Sequence, residues 1–167
     1  MRLIGKPAKI LFFNDHMNNL FRSLKDYKIY YKDIKKNIRK LIKINIKNKK
    51  KYDHLFRVAV NKKMISVSLR KRPKPKLNFK LKLINYKRID PEYKNLKYKK
   101  IISHLKKMDT TRSDIALYKD NKILETGTSN LLFIKKNKIY SPLDSFYKGT
   151  TYKFFTKKLK QIKRKNI

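Results

Sequence analysis

A chain of 167 residues with 48 Lys or Arg against 11 Asp or Glu carries a formal net charge of +37, so its surface is strongly basic. Hydrophobic residues make up 40% and aromatics 12%, which excludes wholesale disorder, and the length suits one compact domain or two small lobes. The absence of cysteine excludes disulfides, thiolate metal sites and Cys nucleophiles, and three scattered histidines make no metal centre.

No apolar run reaches the roughly 18 residues of a membrane span. The opening MRLIGKPAKILFF is too short in its apolar part for a secretory signal. The expectation is a cytoplasmic protein with no membrane partner. The charge has two readings. Lys outnumbers Arg 39 to 9 by count, and Asn and Ile are abundant, as in a genome drifting toward A and T. A nucleic-acid binder usually gathers its cations into a patch with stacking aromatics, whereas these lysines are spread along the chain. Non-specific binding of nucleic acid through basic charge stays open, carried by Arg70 to Lys82 and Lys157 to Lys165.

In chain order, Leu3-Ile4 and Ile10 to Phe13 flank a turn-rich stretch and read as a strand pair. Asn14 or Asp15 then caps a helix whose Met17, Leu20, Phe21 and Leu24 share a face. A second helix follows Asp33, with Ile34, Ile38, Leu41 and Ile42 in register, and fades near Asn45; Lys47 to Lys51 reads as a solvated loop. Leu55 to Val60 and Ile65 to Leu69 alternate about Asn61 to Lys63, predicting a hairpin with one wet face. Pro73 and Pro75 bar Arg70 to Lys76 from a central strand, and alternation resumes at Phe79, Leu81 and Leu83.

Asp90-Pro91 breaks the chain again, which places a lobe boundary near residues 86 to 93. Beyond it, Ile101, Ile102, Leu105 and Met108 predict a helix, and two short strands meet at the tight-turn pair Asp120-Asn121. A bend over Glu125 to Asn130 leads to a strand at Leu131 to Ile134 and another at Ile139-Tyr140. Gly149-Thr150-Thr151 opens a last helix with Phe155, Leu159 and Ile162 on one side, followed by a basic tail. Helices alternating with strands predict a mixed α and β fold of the α+β kind. Residues 1–88 would form a small lobe and 89–167 a larger one.

The stretch Asp114 to Phe155 resembles the signature region of class IV aminotransferases, a pyridoxal-phosphate family that includes branched-chain and D-amino-acid aminotransferases and aminodeoxychorismate lyase. The shared order is strand, tight turn, strand, a Glu-x-x-x-Ser-Asn bend at Glu125 to Asn130, a strand, Ser141-Pro142 and Gly-x-Thr at Gly149 to Thr151. Two of the three glycines, Gly127 and Gly149, fall where that pattern has glycine. Upstream, Lys94-Asn95-Leu96-Lys97-Tyr98 is similar to the family's Schiff-base lysine segment, with Lys97 an alternative to Lys94. His16 to Ser23 and Phe56-Arg57-Val58 resemble parts of the family's small domain, so the likeness spans nearly the whole chain.

The resemblance implies a two-lobed fold holding pyridoxal 5′-phosphate, worked by a homodimer. It implies that Lys94 forms the Schiff base and later moves the proton of the substrate's α carbon. Glu125 would face the cofactor's ring nitrogen, and Ser129, Gly149, Thr150 and Thr151 would complete the cofactor site at a bend and a helix start. Arg57 would bind a substrate carboxylate. The implied activity is transamination of an amino acid, with aminodeoxychorismate lyase chemistry as the alternative. A degenerate relative without cofactor is a further one. Asn19 stands where the family has a phosphate-binding Arg, Tyr152 where an Arg commonly follows Gly-x-Thr, and Lys97 where Asn is usual. Relatives extend beyond both ends of this chain, so both ends are expected to be incomplete and one sheet edge open.

Overall fold

The structure is a computed structural model and describes residues 1–47, 49–159 and 161–167. Parts of the expected loop at Lys47 to Lys51 and of the basic tail at Lys157 to Lys165 therefore lie outside the described residues. Contacts divide the chain into two compact units, Met1–Arg72 and Pro73–Ile167. The boundary expected near residues 86 to 93 falls inside the second of these, because the strand at Lys80–Asn85 pairs with its neighbour at Ser113–Lys119.

The first unit is a four-stranded antiparallel sheet with two helices. Strands β1 (Arg2–Gly5) and β2 (Lys9–Ile10) form the expected pair, and β3 (Tyr52–Val60) and β4 (Ile65–Lys71) the expected hairpin, in the order β2-β1-β3-β4. At the hairpin turn, Asn61 Oδ1 accepts from the backbone N–H of Lys63 and Met64 at 2.8 and 2.9 Å, which fixes the register. Leu3, Tyr52 and Phe56 are buried together, with Ile10, Ile42, Val58, Val67 and Leu69 packed against them. Helix α1 (Phe13–Asp26) buries Met17 and Leu24 of the predicted face. It starts ahead of the predicted Asn14 or Asp15 cap, at Phe12 in the left-handed region, while Asp15 lies in the first turn and complements the dipole. Helix α2 (Ile34–Asn45) buries Ile38 and stops where its apolar periodicity stops.

The second unit holds two three-stranded sheets. Strand β5 (Lys80–Asn85) runs parallel to β6 (Ser113–Lys119), and β6 turns through Asp120 and Asn121, both with positive φ, into β7 (Lys122–Thr126). Positive φ at both central residues is what a tight two-residue hairpin turn needs, and Asp and Asn tolerate it. Ile101 of helix α3 (Lys99–Leu105) is buried with Ile115 and Leu117 of β6, and Ile84, Tyr86 and Leu105 pack against them. The predicted β5 alternation is present, yet Leu81 and Leu83 on it are exposed.

The other sheet has the order β10-β9-β8, with β8 (Phe133–Lys135) and β9 (Lys138–Pro142) antiparallel. Helix α4 (Thr150–Lys158) opens at Gly149 as predicted, but its inward residues are Thr150 and Tyr152, and Phe155 and Leu159 are exposed. Ile162 is no part of that helix. It begins β10 (Ile162–Lys165), which pairs in parallel with β9, so a βαβ crossover replaces the expected helix and tail. Leu159, the capping residue of α4, has left helical geometry at φ −95° and ψ 84°. The partner of β10 is therefore the strand before α4, a non-local pairing that periodicity cannot register.

Candidate active site

Glu125 is one of only two glutamates in the chain and is 3% exposed on β7, opposite Leu117 of β6. It and Thr126 belong to the strand, so the bend begins at Gly127, two residues later than the sequence indicates. Its carboxylate is held from the segment after β5, where Arg88 Nε donates to Oε1 at 2.8 Å. Burial pushes the Glu125 carboxyl above the ordinary glutamate range, and Arg88, the Tyr147 backbone N–H and the charge of Lys94 each pull it back. A buried carboxylate with these partners is a strong acceptor in a low-dielectric setting.

The bend after Glu125 is built on Asp114, buried at the start of β6. Its Oδ2 accepts from the hydroxyls of Thr126 and Thr128 at 2.8 and 2.6 Å, and Oδ1 accepts from the Ile115 N–H at 2.7 Å. Ser129 closes the loop: its N–H donates to Thr126 Oγ1 at 2.8 Å, and its carbonyl accepts from the Thr126 N–H at 2.9 Å. Gly127 is required here because a Cβ would come within 2.9 Å of both Asp114 Oδ1 and Ile115 Cγ1. Ser129 itself is exposed and acts on the shape of the bend.

Lys94 lies in the loop from Ile89 to Tyr98. Asn95 organises that loop, donating to the Ile89 carbonyl at 2.8 Å and accepting from the Lys97 N–H at 2.9 Å. Lys97 extends to Asp90, 2.9 Å away on the exposed side. Lys94 goes the other way, its Nζ standing 5.4 Å from the centroid of the Tyr147 ring, and its charge acts on Glu125. The two lysines that the sequence leaves as alternatives thus have different partners. A hollow of about 500 Å³ lined by Tyr86, Ile89, Lys97, Lys99, Lys100 and Ser103 adjoins the loop on the Lys97 side.

Gly149 precedes α4 with extended geometry, and its N–H donates to Asn130 Oδ1 at 3.1 Å. Thr150 is buried at the first helical position, whereas Thr151 is exposed. Tyr152 turns inward, its hydroxyl 2.9 Å from Ser141 Oγ and its ring edge-on to Phe146 at 5.3 Å. Lys94, Glu125, Gly149 and Thr150 all belong to the second unit. Arg57 is exposed on β3 of the first unit, opposite Ser68. Arg88, Asp114 and Tyr147 carry no sequence signal as site residues: one Arg among 48 basic residues does not stand out, and the partners of a buried carboxylate are set by folding.

The donor set fits a phosphorylated pyridine cofactor: a buried carboxylate for a ring N–H, an amine for a carbonyl carbon, and a helix start for a phosphate. The chain belongs to the class IV aminotransferase family, whose profile, described as amino-transferase class IV, matches residues 1–167. The family is one of pyridoxal 5′-phosphate-dependent enzymes, aminotransferases and lyases among them, and this protein is an enzyme of it. No curated protein matches the chain.

Among solved structures, a candidate 4-amino-4-deoxychorismate lyase from Haemophilus somnus 129PT is similar with a TM-score of 0.70 at 19% identity, over 99% of this chain and 84% of that one. The branched-chain aminotransferase of the archaeon Thermoproteus uzoniensis with norvaline has a TM-score of 0.75 at 15% identity, over 99% and 67%. The branched-chain amino acid aminotransferase of Thermobaculum terrenum in its PLP form has a TM-score of 0.66 at 15% identity, over 99% and 66%. The mixed α and β fold is thus the fold of class IV aminotransferases. Among the described residues, no helix is long and apolar enough to cross a membrane, and no group of His, Cys, Asp or Glu could hold a metal ion.

Proposed function

We propose that this protein is an aminotransferase acting on an amino acid, with Lys94 as its amine and Glu125 as the carboxylate facing the ring nitrogen of pyridoxal 5′-phosphate. The observation that carries the reading is the buried Glu125, held by Arg88, together with Lys94 Nζ over the ring of Tyr147 while Lys97 is tied to Asp90. When bound, the cofactor supplies an electron sink that acidifies the Cα–H of a joined amino acid. Lys94 takes that proton on Nζ and returns it. Glu125 accepts a hydrogen bond from the ring N–H, and its burial strengthens that contact by excluding water. Thr150 and the start of α4, with Thr151 and Ser129 at its margin, bind the phosphate.

In this reading the second unit, Pro73–Ile167, carries the cofactor-binding residues. Aminodeoxychorismate lyase chemistry needs the same proton removal, so the lyase is the second reading, favoured by the likeness to the Haemophilus somnus protein. A homodimer in the cytoplasm completes the proposal. Its support is membership of the family alone. Non-specific nucleic-acid binding through a charge of +37 would be an accompaniment, and would vanish with added salt.

The test is the visible absorption of the chain with pyridoxal 5′-phosphate, borohydride reduction and mapping of the labelled lysine. A label on Lys94 that Lys94→Ala removes is expected, and a label elsewhere refutes the assignment. Amino-group transfer to a keto acid against release of pyruvate from an aminodeoxychorismate-type substrate separates the two reactions.

A further inference from the structure

We infer that Arg88 is the positioning residue of this site, fixing the Glu125 carboxylate through Oε1 in the orientation from which it accepts from the cofactor's ring N–H. The inference rests on the reading of Glu125 given above and extends it to a residue with no place in the sequence pattern. The Arg88 side chain is 13% exposed and that of Glu125 4%, so the contact lies largely out of water, where a charge-assisted hydrogen bond is strong. The planar guanidinium donates from Nε, which fixes direction as well as charge.

The groups around Glu125 leave little else to do this. Leu117 opposite it on β6 is apolar, the connection before α4 offers the neutral Tyr147 N–H, and Lys94 is engaged in the chemistry. Burial favours the protonated acid, which could donate to a ring nitrogen but could not stabilise a protonated ring. Arg88 opposes that tendency, and its charge is fixed across the working range.

The chain contains only Glu92 and Glu125, so 13C-labelled glutamate gives two side-chain carboxyl signals, and Glu125→Gln identifies its own by loss. In the cofactor-free chain, Arg88→Gln should move the Glu125 midpoint upward, Arg88→Lys should restore most of the difference, and Glu92 should not move. An unmoved Glu125 midpoint in Arg88→Gln overturns the inference. If that variant does not fold, the parent chain decides: the Arg88 Nε–H signal must lose its protection as Glu125 takes up a proton, and indifference to that event overturns it equally. With pyridoxal 5′-phosphate, Arg88→Gln should bind roughly tenfold more weakly and Arg88→Lys close to the parent. Borohydride labelling of the parent chain separates the two failures. No label on Lys94 defeats the site reading, whereas a label with an unmoved midpoint defeats the role of Arg88 alone.

Discussion

Asn130 Oδ1 accepts from the Gly149 N–H at 3.1 Å, and the same side chain donates from Nδ2 to the Tyr147 carbonyl at 2.5 Å. One amide therefore joins the bend after Glu125 to the residues that open α4. The bend and the helix start are thereby tied to one another by a single side chain. Gly149 takes part because a Cβ there would lie 3.0 Å from Asn130 Oδ1.

Replacing Asn130 by Ala removes both bonds and leaves a backbone donor and a carbonyl to find water. A loss of about 1–3 kcal/mol in unfolding free energy is expected from urea denaturation, with faster amide exchange at Gly149. Asn130→Asp keeps the acceptor and loses the donor, so its amide exchange at Gly149 should stay slow. Equal exchange in the two variants would contradict this division of labour.

Asp114 supports the same bend from below. Asp114→Ala removes the acceptor of the Thr126 and Thr128 hydroxyls and of the Ile115 N–H, leaving the Ser129 carbonyl as the remaining acceptor for Thr126, with an expected cost of about 1–3 kcal/mol in the same measurement. Gly127→Ala places a methyl 2.9 Å from Asp114 Oδ1 and Ile115 Cγ1, and overpacking of this kind costs about 1–3 kcal/mol. A neutral Gly127→Ala would mean that β6 can give way.

The pH dependence follows from two carboxyls of opposite sign. The Glu125 value in the fold lies above the ordinary 4.5, so the folded chain holds that proton more tightly than the unfolded one. Stability from this group falls as pH rises from about the unfolded value through the folded one, and then levels. Asp109 is lowered from 3.8, first by the Thr111 hydroxyl, and its contribution is present above that value and lost as pH falls through the folded one. Urea midpoints across the acid range should show the first fall flattened in Glu125→Gln and the second in Asp109→Asn.

A net charge of +37 on 167 residues repels itself in any compact state. Salt shrinks the Debye length from about 10 Å at 0.1 M to about 3 Å at 1 M. The thermal midpoint of the cofactor-free chain should therefore rise with NaCl. A flat or falling midpoint would show that the lysines are spaced well enough to avoid one another.

Lys97→Ala breaks an exposed pair with Asp90, which is worth about 0.2–1 kcal/mol. Borohydride labelling of Lys94 should survive it. A label lost in Lys97→Ala and kept in Lys94→Ala would exchange the roles of the two lysines.

Much of this was legible in the chain. The face of Met17 and Leu24, the hairpin about Asn61, the Asp120-Asn121 turn and the start of α4 at Gly149 are local matters, fixed by side-chain spacing and by residues that tolerate positive φ. Glu125 and Gly127 were legible as a pattern because bend and strand follow one another in sequence. What only the tertiary structure decided is long-range. The parallel pairing of β5 with β6 drew the unit boundary back to Arg72, and that of β10 with β9 put Ile162 in a strand. Arg88 meets Glu125 across 37 residues, and Asn130 meets Gly149 across 19. Hydrophobic periodicity records which face of an element is buried but not which other element covers it. Partners of a buried charge are chosen only when the chain closes on itself.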